Sequence, residues 1–364
     1  MHIPDGYLSP STCAVMYAGA APFWYMALQR VKKTFNARLI PLISLFSALS
    51  FVIMMFNVPL PGGTTGHAVG MGILTVVLGP WASILAISVA LAIQAIFFGD
   101  GGITCYGANC FNMAIVGSLV SYLVYRTISG QAALTSPRRI VAAALAGYIA
   151  INVSAFCAGT ELGIQPALFH DTNGAPLYAP YPLSISIPAM VLGHLSFAGI
   201  AELVIAGALV AYLQRTDPSL LRATAPGVAE TEALPLEPAN IWMRTRGLWL
   251  ILAVMMVATP LGLLAAGSAW GEWSPDDFKD PDVRSQIATA SQGVVPPAQA
   301  PSGLEKLSSI WTAPMPDYTP TFIKSPQLGY ILSAVFGTGL IILIILFIGW
   351  VAGLVSRLRP KSNA

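Results

Sequence analysis

Nine apolar stretches run along the chain, at about 11–29, 38–57, 67–80, 81–99, 107–126, 139–160, 183–214, 246–268 and 328–354. A membrane-spanning helix needs roughly 20 mostly apolar residues. The third and fourth stretches are shorter, glycine-rich and separated only by Gly79-Pro80, so they read either as two spans or as one kinked span. The basic residues arbitrate. Arg30, Lys32, Lys33 and Arg38 follow the first stretch, and Arg126, Arg138 and Arg139 lie between the fifth and sixth. Arg215, Arg222, Arg244 and Arg246 follow the seventh, and Arg357, Arg359 and Lys361 follow the last. These fourteen of the 18 basic residues share one side only if there are nine spans and the N-terminus is outside. Eight spans would break the pattern from Arg126 onward. The expected fold is all-α: a polytopic membrane protein with the N-terminus outside and the C-terminus cytoplasmic.

Composition agrees. Of 364 residues, 55% are hydrophobic and 9% charged, where soluble domains carry about 25% charged residues. The net charge of +2 is too small to suggest a nucleic-acid partner, which leaves the lipid bilayer of a cytoplasmic membrane as the expected surroundings. No basic region precedes an apolar core and a small-residue cleavage site, so the N-terminus is expected to be mature as made. The chain divides into two modules. Seven spans end near Arg215, giving a core over 1–215. The Pro/Ala/Glu-rich stretch "RATAPGVAETEALPLEPAN" makes 216–243 a flexible cytoplasmic linker. A two-span unit over 244–364 carries a polar outer loop at 269–327, either loosely ordered or a small domain. Cys13, Cys105, Cys110 and Cys157 show no CxxC spacing and read as packing residues.

The chain opens "MHIPDGYLSP". A free N-terminus followed by histidine is a chelator. The Met1 α-amine, the His2 backbone amide nitrogen and His2 Nδ1 can reach one ion together, closing a five- and a six-membered ring. The amide must lose its proton, which only a strongly polarising divalent ion drives. Such donors prefer a square plane, which suits Ni(II) or Cu(II) over tetrahedral Zn(II) or oxygen-seeking Mg(II). The other reading is a polar residue at a frayed end. His2 is bulky, so Met1 is expected to be retained.

Three nitrogens leave one corner open, and the chain holds only four histidines, His2, His67, His170 and His194. His67, in "PGGTTGHAVGMG", is either the fourth donor or a loop histidine capping a helix; the glycines allow close backbone approach. His170, in "ALFHDTNG", reads as solvated, and His194 falls inside the seventh span. Asp100, Asn109 and Asn112 surround a glycine-rich outer turn, "GDGGITCYGANCFNM". Asp100 either attracts cations, orients the His67 loop or only forms the turn, and the two asparagines either bond the tip or join helices. Asp5 is expected to hold the tip down. His194 and Glu202 are eight residues apart, about 80° offset on one helix. They are either an exit route or subunit contact, as intramembrane ionisable groups often are, or a structural polar pair.

"MHIPDGYLSP", "PGGTTGHAVGMG", "GPWAS" and "FFGDGGITCYGANCFNMAIVG", in that order over roughly 1–215, resemble the NikM/CbiM family. These are nickel/cobalt-capturing S-components of energy-coupling-factor (ECF) importers, a type of ABC transporter. The resemblance implies that Met1 and His2 bind the ion through amine, amide and imidazole, and that His67 completes the square. It implies a coupling T-component and ATPase subunits as partners, and no cofactor beyond the transported Ni(II) or Co(II). "PSGLEKLSSIWTAPMPDYTPTFIKSPQLGYILSAVFGTGL" is similar to the PDGLE segment of the two-span N-component, with Ser302 where the familiar motif has Asp. No metal ligand is expected there.

No GxxxxGK[ST] P-loop occurs, so ATP hydrolysis by that route belongs to other chains. Ala14 and Ala18, four apart on one face, either dock the coupling subunit or pack ordinarily. A membrane metalloenzyme is the competing class, but it needs an open coordination position or a poised acid/base pair, and a filled square of nitrogens offers neither. A sensor would carry a cytoplasmic effector domain, and none is visible.

Overall fold

A computed structural model describes residues 1–34, 39–60, 63–228, 241–265 and 267–358. Arg38, Arg359, Lys361 and residues 229–240 of the expected linker lie outside them. The long apolar stretches fold as helices: α1 (Pro10–Thr34), α2 (Leu39–Met54), α4 (Pro80–Phe98), α5 (Tyr106–Ser129), α6 (Pro137–Gly163), α7 (Leu183–Thr216), α8 (Arg246–Ala258) and α11 (Pro326–Leu358). Among the described residues six helices are long and apolar enough to cross a bilayer, and α2 is a shorter apolar one. The protein is a multi-pass helical membrane protein. Local sequence sets the ends. Ser136 caps α6 by accepting from the Arg138 N–H, with Pro137 at the first helical position.

The third stretch departs from the expected full span. Its helix, α3 (Met71–Leu78), has eight residues, all buried, or about 12 Å of rise against the roughly 30 Å of a bilayer core. Gly70, at φ 79°, takes a left-handed conformation that stops the helix from extending backward. The chain before it runs as coil through 67–70 and an antiparallel hairpin, β1 (Val58–Leu60) with β2 (Thr64–Gly66). Gly79 separates α3 from α4, so the two stretches are distinct elements, but only the second has the length of a span. Irregular backbone at membrane depth is tolerated where protein surrounds it and satisfies it. Here α3 fits between α6 and α7. A Cβ on Gly72 would come within 2.8 Å of Ala206 Cβ and 2.9 Å of Gly147 Cα.

Among the described residues the core is therefore seven helices with a half-length third, and α8 and α11 add two more against α2. Gly337 lies on the Phe51 ring and Gly349 on Ile40. The loop 269–327 is a folded cap rather than a loose segment. It holds α9 (Pro281–Ala290) and α10 (Ser302–Leu307). Trp270, Trp273, Phe278, Ile287 and Leu304 are buried. The Arg284 guanidinium donates to the carbonyls of Phe278, Pro296 and Pro297. Three helices contain π-turns, at Gln94–Phe98, Cys110–Val116 and His194–Ala198. Such turns often mark functional sites, and the first two border the N-terminal tip.

Candidate metal centre

The N-terminal tip is threaded into the protein rather than frayed. Met1 is 3% exposed, His2 4% and Ile3 fully buried. A hydrogen-bond ladder holds it. The Ile3 N–H donates to Asn109 Oδ1 at 2.8 Å, and Asn109 Nδ2 donates back to the Ile3 carbonyl at 3.0 Å. The Gly102 N–H also donates to that carbonyl, at 3.0 Å. Asp5 accepts from the backbone N–H groups of Ile103 (3.1 Å) and Thr104 (2.7 Å) and from the Thr104 hydroxyl. Glycine is required opposite both. A Cβ on Gly102 would overlap Asp5, and one on Gly101 would stand 3.3 Å from the His2 ring.

This ladder sets the His2 ring beside His67. Their rings stack with centroids 4.8 Å apart, and His67 Nε2 lies 3.2 Å from His2 Nδ1. His67 Nδ1 is 3.0 Å from the Ala68 carbonyl. A carbonyl only accepts, so Nδ1 carries the hydrogen and Nε2 presents a lone pair toward His2. That tautomer is a neutral imidazole with a lone pair on Nε2.

Two carboxylates face the prospective donors. Asp100 Oδ1 lies 2.8 Å from His2 Nδ1. Its other oxygen accepts from Gln94 Nε2 at 3.2 Å and from the Tyr318 hydroxyl. Burial alone would raise the Asp100 pKa, but His2 beside it overrides that and holds it below the usual carboxylate range. Glu272 Oε1 accepts from the Met1 ammonium at 3.4 Å. Burial pushes the Glu272 pKa up, and the ammonium only partly offsets it.

Glu272 and Tyr318 come from the second module, where no site residue was expected. The cap covers the tip. Tyr7 donates to the Trp273 carbonyl at 2.8 Å, the Met315 N–H donates to the Phe97 carbonyl at 3.0 Å, and the Gly303 N–H donates to the Leu177 carbonyl at 2.7 Å. The Pro301–Glu305 motif acquires a packing role. A Cβ on Gly6 would stand 2.9 Å from Leu304 Cα and carbonyl O, and one on Gly303 would overlap the Leu177 carbonyl and Tyr178. The contacts made by Gly303 and Leu304 do not involve Ser302.

The other candidates separate from the tip. Asn112 Nδ2 donates to Glu161 Oε2 at 2.9 Å, joining helices. His194 places Nδ1 2.7 Å from the Met190 carbonyl, while its buried Nε2 has no partner among the described residues. Glu202 accepts from the backbone N–H groups of Val69, Gly70 and Gly72. Ala14 and Ala18 are exposed on α1, and His170 is exposed in its loop. Among the described residues no three His, Cys, Asp or Glu side chains form a metal-holding group.

The fold defines a multi-pass helical membrane protein whose buried N-terminal tip lies under an added two-helix module. A profile of the cobalt uptake substrate-specific transmembrane region, CbiM, matches residues 2–220, and a PDGLE domain profile matches 244–354. The chain is 53% identical to the fused nickel transport protein NikMN of Rhodobacter capsulatus over 94% of this chain and 95% of that one. It is 42% identical to the probable fused nickel transport protein LarMN of Lactiplantibacillus plantarum over 81% and 85%, and 30% identical to the cobalt transport protein CbiM of Geobacter sulfurreducens over 71% and 72%. A crystal structure described as a transition metal transporter superposes with a TM-score of 0.57 at 49% identity, covering 60% of this chain and 94% of that one. The chain belongs to the CbiM family of nickel/cobalt transport proteins, fused to a PDGLE domain.

Proposed function

We propose that this chain is the metal-capturing subunit of an ATP-driven importer of the energy-coupling-factor type and that its cargo is Ni(II). The ion would sit in a square plane of the Met1 α-amine, the His2 amide nitrogen, His2 Nδ1 and His67 Nε2. One observation carries this reading: His2 Nδ1 and His67 Nε2 stand 3.2 Å apart, and both residues are buried together with Met1. Two nitrogens at right angles on one ion, each ~2.0 Å away, are ~2.8 Å apart, so a small closure suffices. Nickel is favoured over Co(II) by the planar donor set and by the nickel-named relatives that cover most of the chain; Co(II) in the same plane is the alternative. No cofactor beyond the cargo is required.

A coupling T-component and separate ATPase subunits would drive uptake, since this chain has no P-loop. Residues 1–215 capture the ion, 216–243 link, and the module from 244 covers the site. Met1 faces outward and the basic clusters face the cytoplasm. His2→Ala and His67→Ala test the site. Each is expected to abolish tight nickel binding, measured by titration of purified protein, while membrane insertion persists. Unchanged affinity in His67→Ala would place the fourth donor elsewhere.

A further inference from the structure

The tip is fastened by the residues around it, but His67 sits in coil, and among the described residues its ring bonds only the next residue's carbonyl and His2 itself. What fixes it lies deeper. Glu202, on α7 and fully buried, aims its carboxylate at the start of α3. Oε2 accepts from the Val69 N–H at 2.9 Å and the Gly70 N–H at 2.7 Å, and Oε1 accepts from the Gly72 N–H at 2.9 Å. The Gly70 and Gly72 N–H groups are among the donors that a helix beginning at Met71 leaves unpaired, and the positive end of the helix dipole adds to the attraction. The Val69 carbonyl is held on the opposite side by Ser50 Oγ of α2 at 2.7 Å. Gly147 of α6 leaves the room: a Cβ there would come within 3.1 Å of Glu202 Cγ. The far end of α3 is tied to the same strand of chain, because Thr224, eight residues beyond α7, donates its hydroxyl to the Val76 carbonyl at 2.7 Å.

We propose that Glu202 is the positioning residue for His67: by fastening the backbone two to five residues beyond His67 to α7, it sets the fourth donor where the tip can share an ion with it. The inference rests on the planar site proposed above. Its consequence is that α3 and α7 form one piece from the His67 loop to the segment after α7, so displacement of that segment would be felt at His67. A neutral amide in place of the carboxylate keeps one acceptor but turns an N–H group toward backbone N–H donors, and the loop then loses its clamp.

The test is Glu202→Gln in the full-length chain, read by nickel titration, by the absorption spectrum of the nickel-saturated protein and by thermal unfolding, beside wild type and His67→Ala. Loss of a group that orients a ligand typically weakens metal binding by about 10–100-fold. The expected result is a loss of that size, with the nickel band moved toward that of His67→Ala. A merely structural role would lower the unfolding temperature and leave the saturated band at its wild-type position, and that outcome, or an unchanged affinity, overturns the proposal. Should the amide variant fail to accumulate, Glu202→Asp, which keeps the charge but shortens the reach, is read against the same two outcomes. If His67→Ala itself leaves binding and spectrum untouched, the planar site fails rather than the clamp.

Discussion

Nickel binding should release two protons per ion. In the metal-free arrangement the terminal amine is an ammonium ion beside Glu272, at 3.4 Å, and it must give up one proton to bind. The His2 amide must give up another. For a His2 that is a neutral imidazole before the ion arrives, the hydrogen on Nδ1 moves to Nε2, which is buried and without a partner among the described residues, and adds nothing to the count. The balance is one divalent ion in and two protons out, so the charge of a buried site is unchanged, which avoids the penalty of adding net charge in a poorly solvated place. Each proton is worth about 1.36 kcal/mol per pH unit. Where the free amine is an ammonium ion, affinity should therefore fall about 100-fold for each unit that pH is lowered. Titration calorimetry in buffers of different ionisation enthalpy counts the protons directly. A count of one, or an affinity that changes only tenfold per unit, would remove the amide nitrogen from the donor set and refute the reasoning.

Two further outcomes follow from the same geometry. Adding Met-Gly before Met1 turns the amine into an amide and leaves no room in a tip that is 3% exposed; nickel binding should be lost although no side chain changes, and an N-terminally extended protein that titrates like the native one would exclude the amine. Removing residues 216–364 takes away Glu272, Tyr318 and the cap, so radioactive-nickel accumulation in cells with the partner subunits should drop well below that of the full chain at equal expression, and full uptake by the truncated core would make the second module dispensable.

The sequence carries this organisation unevenly. Helix positions were readable because membrane spans need long apolar runs, and the core and two-helix module follow from where those runs fall. The half-length of α3 was not readable: Met71–Leu78 is as apolar as a true span, and what stops it is Gly70 turning left-handed after a hairpin and coil. The closeness of His2 and His67 could be anticipated because a three-nitrogen tip would leave one corner of a square open and histidines are few. Asp5 and Asn109 lie near the tip in the way their turn chemistry suggests. Asn112 looked equivalent to Asn109, yet three residues of helix turn it toward Glu161. Glu272 and Tyr318 carried no signal at all, since contacts across 271 and 218 residues arise only when the cap folds over the tip. Glu202 was visible as an intramembrane charge, but its partners are backbone N–H groups, which a side-chain pattern does not display.

The planar nickel site is tested most directly by metal analysis of the purified full-length protein together with its absorption spectrum and magnetic state. One nickel per chain, yellow and diamagnetic, is the expected result, because four nitrogens in a square pair the electrons of Ni(II). A paramagnetic, six-coordinate nickel, or a protein that retains no nickel after purification in its presence, would contradict it.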